Sequence, residues 1–316
     1  MNATARQKPA IVVTAADLAD EALALLGDFE IVFAGRQPDE QTLITLCARH
    51  QPAAIIVRYG RITPGIIAAS SQLRVISKHG SGIDTIDVEA ARSRNVAVKA
   101  ATAVNAGAVA EHTWALILAC TKSIPQLNAR MHGGHWDKAT HKSIELGGRT
   151  LGLIGLGAIG RRVAAMGTAM GMRILGHDPH IKAAPPDVVM TTLPELLQAA
   201  DIVSLHCPLM TDNRRMINRE MLLQMRRGAI LINTARGGLV DEVAVRDALE
   251  SGYLRAAALD SFETEPPSPE HLLRNVTNLV MTPHIGGVTQ DAYINMGIAA
   301  ARNILAELQT ADSTRT

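Results

Sequence analysis

Four polar side chains that can transfer protons or bind anions follow short apolar runs in the second half of the sequence. They are His206, Arg236, Asp260 and His284, and Glu265 lies five residues after Asp260. Hydride exchange between a nicotinamide cofactor and an alcohol needs a general acid or base for the hydroxyl proton and a cation for a neighbouring carboxylate. The sequence offers one candidate for each role.

His284, in the segment TPHIGG, is the candidate acid and base, because imidazole titrates near neutral pH. Glu265 could orient the ring and stabilise its protonated form. Arg236, in the segment NTARGG, could hold a carboxylate with its planar fork of donors. Each residue also has a purely structural explanation: a histidine bonded to backbone, a surface glutamate, and an arginine on a solvated turn. Spacing alone leaves both explanations open.

A glycine-rich segment, GLGAIG at residues 155–160, follows an apolar run and opens a helical pattern. Glycines at these positions permit a tight turn, close approach to a pyrophosphate, and packing of the helix on the strand. Asp178, 18 residues after Gly160, ends the next predicted strand, where a carboxylate binds the adenosine ribose and repels a 2′-phosphate. We therefore expect dinucleotide binding, with NAD favoured over NADP. The loop residues expected to contact the dinucleotide are Gly155, Gly157, Ala158, Ile159 and Gly160.

The elements that must position these residues alternate between short apolar runs and helical patterns. Runs rich in β-branched residues recur five times before residue 100 and six times after residue 150, as in buried parallel strands. The fold class expected is α/β, with two doubly wound parallel-sheet domains. Thr192 and Glu195 fit a capping box, and Gly171 stands where a helix should stop.

Composition excludes several classes of protein. The chain has 316 residues, 47% hydrophobic and 19% charged, with a net charge of +1, which is ordinary for a globular protein and unlike a nucleic-acid-binding one. The longest charge-free stretch, residues 275–290, contains a proline and is shorter than the roughly 20 apolar residues of a membrane span. The first nine residues show no secretory signal, so we expect a cytoplasmic protein that binds neither nucleic acid nor membrane.

Neither the cysteines nor the histidines indicate a metal site. Cys47, Cys120 and Cys207 are odd in number and far apart, which argues against disulfides and zinc. A histidine group lies around a glycine pair, but its spacing matches no zinc pattern. Its members are His132, His135 and His141. We expect no metal.

Four segments together resemble the signatures of the D-isomer-specific 2-hydroxyacid dehydrogenase family. They are residues 155–160, 233–242, 259–266 and 282–287, in the family's order, within a likeness that extends from about residue 50 to about residue 308. Within the family, residues 79–84 and 105–114 are most similar to the phosphoglycerate dehydrogenases.

The resemblance implies a Rossmann-type NAD domain, residues 102–285, inserted in a flavodoxin-like substrate domain, residues 1–101 and 286–316. By matching positions, Arg236 would bind the substrate carboxylate, Glu265 would hold His284, and His284 would protonate the carbonyl as NADH delivers hydride. Further implied contacts with the cofactor are His206, Cys207, Ala235, Asp260 and Gly286, and implied contacts with the substrate are Arg58, Ser81 and Gly82.

The activity implied is hydride transfer between NAD(H) and a small D-2-hydroxy acid or its 2-oxo acid, by a homodimer. The leading substrate is 3-phosphoglycerate. Arg58, with Arg61 nearby, stands where these enzymes bind the distal phosphate, and a solvated pair of arginines is the alternative explanation of these two residues. A reductase of hydroxypyruvate, glyoxylate or a sulfolactate-type acid is an alternative. So is an NAD-sensing, corepressor-like binding protein, since the same family includes such proteins.

Overall fold

The computed structural model describes residues 8–313. Most of the first nine residues, where we expect no secretory signal, lie outside this range. The chain divides into two compact units. The first contains the residues up to Asn105 and those from Val288 onwards, and the second is Ala106–Gly287.

The first unit contains five strands and four helices before the chain leaves it. In order they are β1 (Ala10–Val13), α1 (Asp20–Leu25), β2 (Glu30–Phe33), α2 (Glu40–His50), β3 (Ala54–Val57), α3 (Pro64–Ala68), β4 (Val75–Lys78), α4 (Val88–Ser93) and β5 (Ala97–Ala100).

The second unit continues with α5 (Ala106–Lys122), α6 (Ile124–His132), β6 (Thr150–Ile154), α7 (Ala158–Ala169), β7 (Arg173–His177), β8 (Val188–Met190), α8 (Leu193–Ala199), β9 (Ile202–Leu205), α9 (Arg219–Gln224), β10 (Ile230–Asn233), α10 (Glu242–Glu250), β11 (Ala256–Leu259) and β12 (Leu279–Met281). A short 3-10 helix, Gly237–Leu239, precedes α10. The chain then returns to the first unit as α11 (Gln290–Ser313).

Both sheets are parallel throughout, as the sequence predicted. The strand order is β2-β1-β3-β4-β5 in the first unit and β12-β11-β10-β9-β6-β7-β8 in the second. The direction in which strands are added to the sheet reverses once in each unit, between β1 and β3 in the first and between β6 and β9 in the second. Ligands of open α/β sheets bind at such a point, beyond the carboxyl ends of the strands. The predicted α/β class with two doubly wound sheets is therefore confirmed. Strand β8 was not predicted.

Both faces of each sheet are covered, which explains why the central strands read as continuous apolar runs. In β1, Ile11 and Val13 join one core cluster while Val12 joins the other, because successive side chains of a strand point to opposite faces. The second unit likewise has two large clusters, with Leu151 of β6 in one and Ile154 in the other. The cores hold the strand ends in fixed positions.

Local signals place the helices of the second unit as predicted. The Thr192 hydroxyl accepts from the Glu195 N–H at 3.4 Å, while the Glu195 carboxylate accepts from the Thr192 N–H at 3.1 Å, which forms the capping box. Gly171, with φ of +74°, follows the end of α7. Trp114 of α5 is buried against α7 and donates its indole N–H to the Val163 carbonyl at 3.2 Å.

The closing helix α11 belongs to the core of the first unit. Its residues Ala300, Ala301 and Ile304 are fully buried in the same cluster as Ala22 of α1. Neither this helix nor any other within residues 8–313 has the length and apolar character required to cross a membrane.

Candidate active site

The glycine loop joins β6 to α7 at the reversal of strand order in the second unit. Gly155 has φ of +94°, and a Cβ on it would lie 2.6 Å from the Cys207 backbone nitrogen. A Cβ on Gly160 would lie 2.2 Å from the Gly155 carbonyl oxygen. Only glycine fits both places, whereas no atom lies within 4 Å of a Cβ on Gly157. The space in front of the helix N-terminus, which begins with Ala158 and Ile159, is therefore open to a pyrophosphate.

Asp178 lies directly after β7 and is bound to the glycine loop. Its Oδ2 accepts from the Leu156 N–H at 2.8 Å, and its Oδ1 accepts from the His180 N–H at 2.9 Å. Each carboxylate oxygen can accept a further hydrogen bond. The carboxylate thus retains capacity for the ribose hydroxyls of a dinucleotide, and the loop fits that cofactor.

His206 and Cys207 follow β9, beside the glycine loop. The His206 N–H donates to the Ile154 carbonyl at 2.7 Å, its Nε2 lies 3.0 Å from the Ser204 hydroxyl, and its buried Nδ1 has no hydrogen-bond partner. Burial lowers the pKa of His206 to about 3 and raises the pKa of the Cys207 thiol to about 11. Both side chains are neutral near pH 7, so neither is suited to proton transfer or to nucleophilic attack there.

His284 and Glu265 form a hydrogen-bonded pair. The distance from His284 Nδ1 to Glu265 Oε2 is 2.7 Å, and the imidazole side chain is 44% exposed. Because an ionised carboxylate only accepts, Nδ1 carries the proton in this bond and Nε2 is left to exchange protons with another molecule. The structure therefore brings together the acid/base candidate and the partner predicted for it.

The carboxyl group of Glu265 remains ionised over a wider range of pH than usual. Burial raises its pKa, but hydrogen bonds from His284 and from the Phe262 N–H, at 2.9 Å, outweigh burial, and the charges of His284 and Arg236 act in the same direction. The resulting pKa is below the ordinary value for glutamate. The negative charge that stabilises a protonated His284 is thus maintained at neutral pH.

Arg236 extends the end of β10 and is half-buried. The Asn233 side chain holds the turn before it by donating to the Arg236 carbonyl at 2.8 Å and accepting from the Ala235 N–H at 3.0 Å. The Thr234 hydroxyl lies 2.9 Å from the Thr113 hydroxyl of α5. Arg236 thus projects from a turn with a fixed backbone, as recognition of a carboxylate requires.

Asp260, directly after β11, holds the loop that carries His284. Its Oδ1 accepts from the Thr282 hydroxyl at 2.6 Å and from the Ile285 N–H at 2.9 Å, and its Oδ2 accepts from the Gly286 N–H at 2.8 Å. The Nε2 atom of His112 in α5 lies 3.4 Å from Oδ1. Both oxygens of this carboxylate, which is 1% exposed, are used within the protein. Contact of Asp260 with the cofactor stays a prediction.

The Asp260 contacts explain how the loop tolerates an unfavourable backbone conformation. His284 has φ of +54°, a left-handed conformation that is uncommon for residues other than glycine and persists where the surroundings fix it. The bonds from Thr282, Ile285 and Gly286 to one carboxylate supply that constraint. No pattern in the sequence indicated the contributions of His112 and Thr282. For Thr282 the only sequence signal was its position two residues before His284.

The candidate substrate residues Arg58, Ser81 and Gly82 lie in the first unit, beyond the carboxyl ends of β3 and β4. The Ser81 hydroxyl donates to the Asn105 side chain at 3.0 Å, and Gly82 is half-buried. The Arg58 side chain, 14% exposed, pairs with the Asp17 carboxylate. The roles of these three residues in binding substrate stay predictions.

The histidine group of the sequence does not assemble. His141 Nε2 lies 3.0 Å from the Ser143 hydroxyl, and His132 and His135 are exposed. Within residues 8–313, no three side chains of the metal-ligating types are grouped in a way that could hold an ion.

We predict that Asp260→Asn lowers the free energy of unfolding at pH 7 by about 2–4 kcal/mol, because an amide nitrogen would face a buried backbone N–H. Burial raises the pKa of Asp260, but the hydrogen bonds from His112, Thr282, Ile285 and Gly286 bring it below its ordinary 3.8. A carboxyl group with a lowered pKa stabilises the fold above its unfolded pKa and loses that effect as the pH falls. The difference in the free energy of unfolding between the wild type and the variant should therefore shrink below about pH 4.

Urea unfolding of the wild type and the variant from pH 7 to pH 3 measures this effect. Asp212→Asn removes the same charge from an exposed position and is the control. A loss of unfolding free energy that is equal at every pH would show that the Asp260 charge does not stabilise the loop.

Comparison with known proteins identifies the family. The family model described as "D-isomer specific 2-hydroxyacid dehydrogenase, NAD binding domain" matches residues 114–286. Over 258 residues, 79% of this chain, the sequence is 42% identical to D-3-phosphoglycerate dehydrogenase of Methanocaldococcus jannaschii, but it spans only 48% of that protein's length. Over 250 residues, 78% of this chain, it is 40% identical to hydroxypyruvate reductase of Thermotoga maritima and covers 82% of that protein.

A solved structure shares the fold over most of this chain. The TT0316 protein of Thermus thermophilus superimposes with a TM-score of 0.88 at 36% identity, covering 95% of this chain and 97% of its own. The family model spans the strand ends that carry the glycine loop, Arg236, Glu265 and His284. This protein belongs to the D-isomer-specific 2-hydroxyacid dehydrogenase family, and residues 114–286, which lie within its second unit, match the family's NAD-binding domain.

Proposed function

We propose that this protein is an NAD-dependent oxidoreductase that interconverts a small 2-oxo acid and the corresponding D-2-hydroxy acid. The observation that carries the proposal is the 2.7 Å pair of His284 and Glu265, which lies in the same unit as the glycine loop. A histidine held through Nδ1 by a carboxylate is a proton donor and acceptor at Nε2.

In the reductive direction, one proton and one hydride are added to the C2 carbonyl group. NADH, when bound, supplies the hydride. His284 donates the proton from Nε2 to the carbonyl oxygen, and Glu265 orients the ring and stabilises the imidazolium form before the transfer. In the oxidative direction, neutral His284 takes the proton from the hydroxyl group.

Arg236 is the residue proposed to bind the substrate carboxylate. Its fixed turn after β10 supports this role, because the guanidinium fork matches the two carboxylate oxygens. Ser81 and Gly82, after β4 of the first unit, are proposed to contribute polar contacts to the substrate. His206, Cys207, Ala235 and Gly286 are proposed to line the cofactor site, partly through the main chain, together with Asp260.

Two further properties belong to the proposal. A homodimer is supported by three large apolar side chains that are exposed on and after α6, because aromatic and methionine side chains are enriched at interfaces. These are Ile124, Met131 and Trp136, the last 75% exposed. A cytoplasmic location is supported by the free thiols Cys47, Cys120 and Cys207.

Sedimentation tests the dimer. Trp136→Arg would place a like charge from each subunit at the proposed interface, so the variant should sediment as a monomer at concentrations where the wild type is a dimer. Wild-type protein that sediments as a monomer at micromolar concentration would contradict the dimer.

The activity is tested by following NADH oxidation with hydroxypyruvate, glyoxylate, pyruvate, phosphohydroxypyruvate and sulfopyruvate. We expect turnover of at least one of these acids. With the best of them, His284→Ala should lower kcat by about 100-fold or more, because the proton donor is lost, while NADH binding is retained. His50→Ala, in α2 of the first unit, is the control. Unchanged turnover in the His284 variant would refute its role, and tight NADH binding without any turnover would favour an NAD-sensing binding protein.

Asp178 is proposed to favour NAD over NADP through its charge. Asp178→Asn keeps an oxygen that can accept the Leu156 N–H but removes the carboxylate that repels a 2′-phosphate. We expect the ratio of the Kd values for NADPH and NADH to fall by about tenfold, because a like-charge repulsion is removed. Fluorescence titration with both nucleotides measures the ratio, and an unaltered ratio would mean that another residue discriminates between them.

A further inference from the structure

Arg58 lies where the first unit is expected to bind a ligand. It follows β3, beside the reversal of strand order between β1 and β3, at the carboxyl edge of the sheet. The cavity at this edge has a volume of about 540 Å³ and is lined by Ala16, Asp17, Arg36, Gln37, Arg58 and Tyr59. It holds two guanidinium groups and one carboxylate.

The guanidinium group of Arg58 is already occupied by partners from the protein. Its NH1 donates to the Asp17 carbonyl at 3.0 Å and pairs with the Asp17 carboxylate. Its NH2 lies 3.4 Å from the Tyr59 hydroxyl. The Arg58 Cζ atom also lies 5.2 Å from the centre of the Tyr59 ring and 4.7 Å from the centre of the Tyr293 ring. A phosphate would have to compete with the Asp17 carboxylate for the NH1 donors.

Asp17 is held in place by a second partner. The Tyr293 hydroxyl of α11 donates to its Oδ1 at 2.9 Å. This hydrogen bond is the largest influence on the pKa of Asp17, which it lowers, whereas burial raises the pKa. The hydrogen bond and the charge of Arg58 lower the pKa further, and the charge of Arg36 acts in the same direction. The carboxylate is ionised at neutral pH and its side chain is 68% exposed, so it presents a negative charge to whatever enters the cavity.

A ligand group that reaches this cavity therefore meets the Asp17 carboxylate as well as two arginines, Arg36 and Arg58. A phosphate dianion would be repelled by Asp17 at close range, and this repulsion offsets part of the attraction of Arg58 and Arg36. A hydroxyl group carries no charge and can donate a hydrogen bond to the exposed carboxylate.

Given the proposed function, on which this inference rests, we propose that Asp17 is a specificity-determining residue. It selects 2-oxo acids whose distal group is uncharged, such as a hydroxyl, over those that carry a phosphate. This differs from the expectation that Arg58 serves a distal phosphate, because it assigns the decisive charge in the cavity to Asp17.

The test compares kcat/KM for hydroxypyruvate and phosphohydroxypyruvate in the wild type and in Asp17→Asn. The wild type should prefer hydroxypyruvate, and the variant should raise the ratio of phosphorylated to unphosphorylated substrate by about tenfold or more, since a like charge is removed. Raising the salt concentration should weaken the preference of the wild type more than that of the variant, because salt screens exposed charges.

Three matched variants separate the charge of Asp17 from its other roles. Asp28→Asn removes the same charge from an exposed residue of the first unit and should leave the ratio unchanged. Tyr293→Phe keeps the Asp17 charge while removing its hydroxyl partner, and should shift the ratio much less than Asp17→Asn. Adding Arg58→Gln to Asp17→Asn should abolish the gain, because the released arginine is what would bind the phosphate.

Binding measurements distinguish a failure of this inference from a failure of the proposed function. Calorimetric titration with 3-phosphoglycerate and with glycerate needs no turnover, and Asp17→Asn should strengthen binding of the phosphorylated acid by about tenfold relative to glycerate. An unchanged ratio in both kinetics and binding would overturn the role of Asp17 even if the enzyme is active. So would a wild-type preference for phosphohydroxypyruvate that Asp17→Asn does not increase. Absence of turnover with an altered binding ratio would overturn only the proposed function.

Discussion

The buried Asp260 carboxylate is the interaction on which the geometry of the second unit most depends. An isolated carboxylate at 1% exposure would be strongly unfavourable, but each of its oxygens accepts at least one hydrogen bond from the loop that carries His284. Gly286 in this loop stands next to the last residue of the unit, and His112 belongs to its first helix. One charge therefore joins the beginning of the unit, the end of β11 and the candidate acid/base residue.

The candidate site combines a rigid frame with a small number of ionised groups. Parallel strands end at one edge of the sheet, so the residues directly after β6, β9, β10, β11 and β12 lie along that edge in the order of the strands. Half-buried His206 and Cys207 are neutral, whereas Glu265 keeps its charge next to His284. Burial of the titrating groups thus keeps His206 and Cys207 neutral, and hydrogen bonds to the ionised carboxylate keep Glu265 charged.

Much of this arrangement was predictable because it is encoded locally. Buried strands require continuous apolar runs, and the turn after β6 tolerates only glycine at residues 155 and 160. Strand β8 was missed because it has three residues, two of them exposed, and so lacks a buried pattern. The links of Asp260 to His112 and of Asp17 to Arg58 and Tyr293 join residues that are distant in the sequence, so no local pattern could indicate them. Nor could spacing decide whether Arg58 is free to meet a phosphate.

Trp114, a residue of α5 whose indole is buried against α7, determines which part of the chain tryptophan fluorescence reports on. The chain has two tryptophans, and both Trp114 and Trp136 belong to the second unit. Trp114 donates to the carbonyl of Val163 in the helix that follows the glycine loop. Intrinsic tryptophan emission is therefore a readout of the second unit alone, and an unfolding curve recorded by it contains no direct signal from the first unit, which carries Asp17 and Arg58.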